Sequence, residues 1–202
     1  MLVNIHGFSS SGDNTKHAFL RSVFPGEMIL SPDLPVEPRA AIRELESIVE
    51  KYKGEPILLV GSSLGGFYAY YLSAKYGCHA VLLNPSLMPF ASLMDCLGDN
   101  VNYNTGEPFV FTEEHIKQLR DMFPEVYLEG DHGLLHAFVC EDDERLDHTQ
   151  TKKMLVGCGT FVSFAKGGHQ FADLERIQGE IRRIYFELVK KERDHRQDGV
   201  EG

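Results

Sequence analysis

Six short apolar runs, set apart by segments of helical period, organise this chain of 202 residues. They are Leu2 to His6, Glu27 to Ser31, Pro56 to Val60, Ala80 to Leu83, Leu134 to Cys140 and Thr160 to Phe164. Runs this short and this continuously apolar read as strands covered on both faces. Helix patterns lie between them, near residues 15–24, 38–53, 64–76, 113–123, 148–157 and 173–191. In the last, Leu174, Ile177, Ile181, Ile184 and Leu188 step by three and four and therefore share one stripe. Strands separated by helices pair in parallel. The expected fold is α/β: a mostly parallel, doubly wound sheet of about six strands.

The rhythm breaks between Pro85 and about Gly133, a long stretch rich in Pro, Gly and Asn with one helix pattern. An insertion after a strand's carboxyl end lands over the ligand crevice of such a sheet, so residues 85–133 are expected to form a cap. The length suits one domain, residues 1–192, and residues 193–202 read as a polar, frayed tail. A chain of this size buries roughly 70% of its unfolded surface and needs neither disulfides nor metal to hold a core.

Twenty basic and thirty acidic residues give a net charge of −10, which excludes a nucleic-acid footprint as the main partner. No apolar run reaches membrane-spanning length, and Met1 to Gly7 lacks the basic and apolar regions of a signal peptide. Cys78, Cys96, Cys140 and Cys158 form no Cys-x-x-Cys pair and read as reduced, mostly buried thiols. The expectation is a cytoplasmic protein with no membrane insertion. The nine histidines are scattered and His-Glu-x-x-His is absent, so no metal is expected.

Gly61-Ser62-Ser63-Leu64-Gly65 fits Gly-x-Ser-x-Gly, directly after Ile57-Leu58-Leu59-Val60 and directly before a helix pattern. A sharp strand-to-helix turn pushes the Ser63 hydroxyl into the open. Glycines two before and two after remove side chains that would collide in the bend. The helix then aims its N-terminus, with the Leu64 amide, at an oxygen held beside the serine.

A serine hydroxyl attacks only when a base takes its proton, and the base needs an orienting acid. With this elbow the chain order is Ser, acid, His. His169 follows the last predicted strand and the flexible Lys166-Gly167-Gly168, where a loop can deliver a base to the sheet edge. His79 and His136 flank or sit in strands and read as core or edge residues. The acid belongs after Leu134 to Cys140, and position favours Asp142 or Asp143 among Glu141, Asp142, Asp143, Glu144 and Asp147. The first strand runs into His6-Gly7-Phe8-Ser9, whose Phe8 amide is the second candidate oxyanion donor. Gly7 and Gly12 have the spacing of a phosphate loop, but Asp13-Asn14 stand where Lys and Ser/Thr are required.

The chain resembles the YqiA-type esterases, small bacterial α/β-hydrolases. The likeness rests on His6-Gly7-Phe8-Ser9-Ser10, on Gly61 to Ala69, and on Asn84-Pro85-Ser86-Leu87-Met88-Pro89-Phe90. Leu97-Gly98 with Tyr103-Asn104-Thr105-Gly106, and Asp143-Glu144-Arg145-Leu146-Asp147, complete it. The resemblance implies a compact α/β-hydrolase fold and a triad of Ser63, Asp143 and His169, and so selects Asp143 as the acid. Two departures stand out. Asp142 occupies a position that is usually Gly in the family, and Gly168 abuts His169 where the family carries one residue between.

The expected function is a serine acyl hydrolase, a carboxylesterase or thioesterase, acting on a small-molecule ester through a covalent acyl-enzyme. The amides of Phe8 and Leu64 hold the oxyanion, and no cofactor takes part. Activity is expected to rise with pH through roughly 6–7, as a histidine base loses its proton. Leu87, Met88, Phe90, Leu93 and Met94 suggest an acyl pocket or, equally, packing of cap on core. The acidic cluster around Asp143 places simple esters ahead of polyanionic thioesters. The alternatives are a non-catalytic binding or scaffold protein on the same fold, or a C–C hydrolase or lyase.

Overall fold

The computed structural model describes residues 1–129 and 132–198. The first half runs β1 (Leu2–Ile5), α1 (Thr15–Val23), β2 (Ile29–Leu30), α2 (Pro38–Lys51), β3 (Leu58–Ser62), α3 (Leu64–Tyr76) and β4 (His79–Leu83). An insertion follows, with α4 (Pro89–Ser92), the strands β5 (Gly98–Val101) and β6 (Pro108–Phe111), and α5 (Glu113–Glu129). The chain then returns through β7 (Leu135–Cys140), α6 (His148–Met154), β8 (Thr160–Phe164) and α7 (Gln178–Asp198).

Six strands make one parallel sheet in the order β2-β1-β3-β4-β7-β8. Side chains alternate between two cores, as the pleat demands. Val3, Ile5, Leu59, Ala80, Leu82, Leu135 and Ala137 face α2, α3 and α5. Leu2, Leu58, Val60, Val81, Leu83, Phe138 and Cys140 face α1 and α7. The predicted apolar stripe is the part that docks: Ile181, Ile184 and Leu188 of α7, with Ile177 in the 3-10 turn just before it, are all buried. This is the α/β-hydrolase fold, a six-stranded parallel sheet with helices on both faces.

Two expectations for the insertion need correction. The insertion carries an antiparallel hairpin, β5 with β6, that the sequence pattern does not announce. Gly98, Asp99 and Asn100 are poor strand formers. The hairpin is held by its turn instead: Asn102 Oδ1 accepts from the amides of Asn104 and Thr105 at 2.9 and 3.1 Å, an Asx turn. The helix expected at 113–123 continues to Glu129 through Pro124, whose fixed φ suits a helix and whose missing N–H removes one bond. The end of the expected cap includes Gly130 and Asp131, which lie outside the described residues.

The tail expected to fray from residue 193 is helical to Asp198, because strong helix formers fill it and neither Gly nor Pro intervenes before Gly199. Residues 199–202 lie outside the described residues. The four cysteines are free, but Cys140 is buried and the other three are half-buried. Among the described residues no helix is long and apolar enough to cross a membrane.

Candidate active site

The sheet order reverses between β1 and β3, each of which starts from the centre and winds outward. Loops after their carboxyl ends therefore separate and leave a crevice. The registers Ile5↔Gly61, Ser62↔Leu83, Leu83↔Phe138 and Cys140↔Phe164 align those ends, so the loops after β1, β3, β4, β7 and β8 meet along one edge.

Ser63 occupies the turn between β3 and α3 with φ 55° and ψ −119°, a conformation that costs a non-glycine residue about 1–3 kcal/mol. Close packing enforces the turn. A Cβ on Gly61 would strike the Gly65 carbonyl, and one on Gly65 would strike the carbonyl oxygens of Ile5 and His6. Gly65→Ala is accordingly expected to cost about 3 kcal/mol or more, read as a lower denaturant midpoint with unchanged slope.

The three residues expected to form a triad come together from three strand ends. His169 Nε2 lies 3.1 Å from Ser63 Oγ, and its Nδ1 lies 3.0 Å from both Oδ1 and Oδ2 of Asp143. An ionised carboxylate only accepts, so Nδ1–H donates to Asp143 and Nε2 is left to accept from the serine hydroxyl. The Asp143 side chain is wholly buried. Burial alone would raise its pKa, but hydrogen bonds from His148 and His169, with the Arg145 amide, hold it well below the usual carboxylate range.

His148, at the start of α6, has no counterpart in the sequence reading. Its Nε2–H donates to Asp143 Oδ2 at 2.9 Å, and its Nδ1 accepts from the Thr151 hydroxyl at 3.2 Å. Asp143 thus sits between two imidazoles, with the amides of Arg145 and Leu146 donating to Oδ1 at 2.9 and 3.0 Å.

The neighbouring carboxylates do not compete for the imidazole. Asp142 Oδ1 accepts from the Gly168 amide at 2.8 Å, and Glu144 Oε2 from the His169 amide at 2.9 Å. Asn84, fully buried after β4, closes the other side: its Nδ2 donates to the carbonyls of Gly168 and His169 at 2.8 and 3.0 Å. Its Oδ1 accepts from the Cys140 amide at 2.7 Å. An asparagine that ties β7 to the histidine loop could be found in sequence only as an unexplained polar residue at the end of a buried run.

The loop after β1 lies against the serine; a Cβ on Gly7 would stand 3.1 Å from Ser63 Cβ. His6 Nε2 accepts from the Leu34 amide at 2.9 Å, so its proton is on Nδ1, which donates to the Gly7 carbonyl at 2.9 Å. Burial lowers the His6 pKa and keeps that ring neutral. Fixing the Gly7 carbonyl also fixes the Phe8 N–H, which belongs to the same peptide unit and points the opposite way. Leu64 is the first residue of α3, where an amide has no intrahelical acceptor.

Ser63 and His169 open into a cavity of about 680 Å³. Of the five apolar cap residues considered above, Leu93 lines it. Leu87 is buried in the core, Phe90 packs on Phe123 with ring centroids 5.2 Å apart, and Met94 is exposed. Cap-on-core packing therefore accounts for Leu87 and Phe90. Elsewhere, His136 is buried at the opposite end of the sheet and stacks on His79. Among the described residues no group of three or more His, Cys, Asp or Glu side chains is placed to hold a metal ion.

Solved structures share the fold. The esterase Est1E of Butyrivibrio proteoclasticus superposes with a TM-score of 0.69 at 13% identity, over 94% of this chain and 88% of that one. A monoacylglycerol lipase of Paleococcus ferrophilus gives 0.68 at 16% identity, over 94% and 93%. In sequence, the chain is 26% identical over 180 residues to the UPF0227 protein YE1706 of Yersinia enterocolitica, covering 86% of this chain and 92% of that protein. The model of the uncharacterised protein family UPF0227 matches residues 1–197, nearly the whole length, and the chain belongs to that family.

Proposed function

We propose that the protein is a serine hydrolase of carboxylic esters, of the YqiA esterase type. The observation that carries this reading is the unbroken contact from Ser63 Oγ through His169 to Asp143, with distances of 3.1 and 3.0 Å. Ser63 Oγ attacks the ester carbonyl carbon while His169 Nε2 takes its proton. Negative charge moves to the carbonyl oxygen, facing the amides of Phe8 and Leu64. The tetrahedral adduct collapses, the carbon–oxygen bond to the alcohol breaks, and His169 returns the proton to the departing oxygen. Water then repeats the sequence on the acyl-enzyme, releasing the acid and restoring Ser63. Asp143 keeps the His169 proton on Nδ1, the tautomer that leaves Nε2 free to act. The fold shared with an esterase and a lipase is consistent with this chemistry.

A fluorophosphonate probe tests the reading directly, because it reacts with a serine only when a base activates it. The folded protein is expected to label at Ser63, with labelling lost in Ser63→Ala and after denaturation. A folded protein that stays unlabelled would leave a binding protein on a hydrolase fold.

A further inference from the structure

We infer that the natural substrate is an ester that carries a carboxylate elsewhere in the same molecule, held in the cleft by Lys16 and Arg145. The inference rests on the hydrolase reading and adds the substrate class.

The cavity that holds Ser63 and His169 has polar groups such as Asn4, Asn14, Asn104 and Gln170 in its wall beside apolar ones such as Phe8 and Leu93. Two cations line it as well, against one carboxylate, that of the exposed Asp13.

Lys16 is the unusual member. It is 7% exposed, and its Nζ donates to the Gln170 carbonyl at 2.8 Å and approaches Gln170 Oε1 at 3.4 Å. Among the described residues no carboxylate faces it. Other basic side chains of this chain do find partners: Lys75 with Glu46, Arg176 with Asp173, and Arg183 with Glu180 and Glu187. Carboxylates are not scarce either, with thirty acidic residues to twenty basic ones. A buried ammonium normally acquires a counter-charge, and leaving one without is unfavourable unless a ligand supplies it. Burial accordingly lowers the Lys16 pKa with no opposing carboxylate.

Arg145 stands beside the triad in sequence, and its own amide donates to Asp143. It lines the same cavity wall as Cys96, whose thiol pKa burial raises against the opposing pull of the Arg145 charge. No salt bridge to Arg145 is found among the described residues. Its guanidinium can meet a carboxylate in two parallel hydrogen bonds. Lys16 is anchored on Gln170, the residue after the base, and Arg145 lies two residues after the acid. Both residues line the cavity that holds the reacting serine.

None of the acidic residues of the loop after β7 lines the cavity. Asp142, Asp143, Glu144 and Asp147 each accept hydrogen bonds from the protein itself.

The test compares Ser63-dependent kcat/KM for 4-nitrophenyl hexanoate with two charged esters of the same acyl length. One is the mono-4-nitrophenyl ester of adipic acid, with the charge in the acyl half. The other is 3-carboxy-4-nitrophenyl hexanoate, with the charge in the leaving half. At least one charged ester is expected to exceed the neutral one by about tenfold or more, and Arg145→Gln to reduce that ratio at least about fivefold. Arg145 is exposed, so its replacement does not threaten folding. Lys16→Met is measured alongside and is expected to reduce the same ratio. Faster turnover of the neutral ester than of both charged ones, or a ratio unchanged in both variants, would overturn the inference and leave the hydrolase reading intact. Absence of Ser63-dependent turnover with all of them would overturn both.

Discussion

Ser63→Ala and His169→Ala are each expected to lower kcat on a nitrophenyl ester by about 10⁴- to 10⁶-fold, and the double variant to lose little more than either alone. The non-additivity follows from the geometry. His169 Nε2, 3.1 Å from Ser63 Oγ, has no proton to accept once the hydroxyl is gone, and the hydroxyl has no base once the imidazole is gone. What remains in every variant is the pair of amides at Phe8 and Leu64 with the cleft around them. Alanine at position 63 keeps the Cβ and the strained turn, so loss of fold does not explain the effect. Steady-state kinetics on the three variants, beside their thermal unfolding, decide the matter. Losses that multiply in the double variant would show that the two residues do not act as a unit.

Asp143→Asn is expected to lower kcat by about 10⁴-fold, while Asp142→Asn and Glu144→Gln stay within about tenfold of the parent. The amides of Arg145 and Leu146 both donate to Oδ1, so an asparagine must keep its carbonyl oxygen there and place its NH₂ at the Oδ2 position. Two imidazole nitrogens already donate into that position, His148 Nε2 at 2.9 Å and His169 Nδ1 at 3.0 Å. Relief for His169 means moving its proton to Nε2, which then faces the serine and can no longer act as a base.

The pH dependence has a definite sign. Asp143 is held below its ordinary value in the folded protein, so its ionisation stabilises the fold above the unfolded value of about 3.9. That contribution is lost as pH falls through the lower folded value. The stability gap between the parent and Asp143→Asn is therefore expected to close below about pH 4, as urea titrations across pH would read. A crippled Asp142→Asn beside a harmless Asp143→Asn would mean that the acid has been assigned to the wrong carboxylate.

The features readable in sequence were those encoded by neighbours along the chain. Leu58 to Val60 followed by Gly61, Ser63 and Gly65 specify strand, bend and helix within a few residues, and the elbow appears where that local order puts it. Gly167-Gly168-His169 after an apolar run is similarly local. The hairpin at β5 and β6 depends instead on Asn102 and its side-chain bonds, which compensate for residues of low strand propensity. Asn84 and Lys16 escaped because their partners lie on other elements: 56 residues separate Asn84 from Cys140, and 154 separate Lys16 from Gln170. A polar residue in a buried position carries no mark in sequence of what will satisfy it.

Asp142 Oδ1 accepts from the Gly168 amide. The two departures that the resemblance to the YqiA-type esterases implies, an aspartate in place of glycine and a histidine loop shorter by one residue, fall at the two ends of that single bond. Restoring the glycine alone would leave the Gly168 N–H without its acceptor, and lengthening the loop alone would carry that N–H away from the carboxylate. The two positions are therefore expected to change together between lineages, so that a lengthened histidine loop marks a chain with glycine before its catalytic acid.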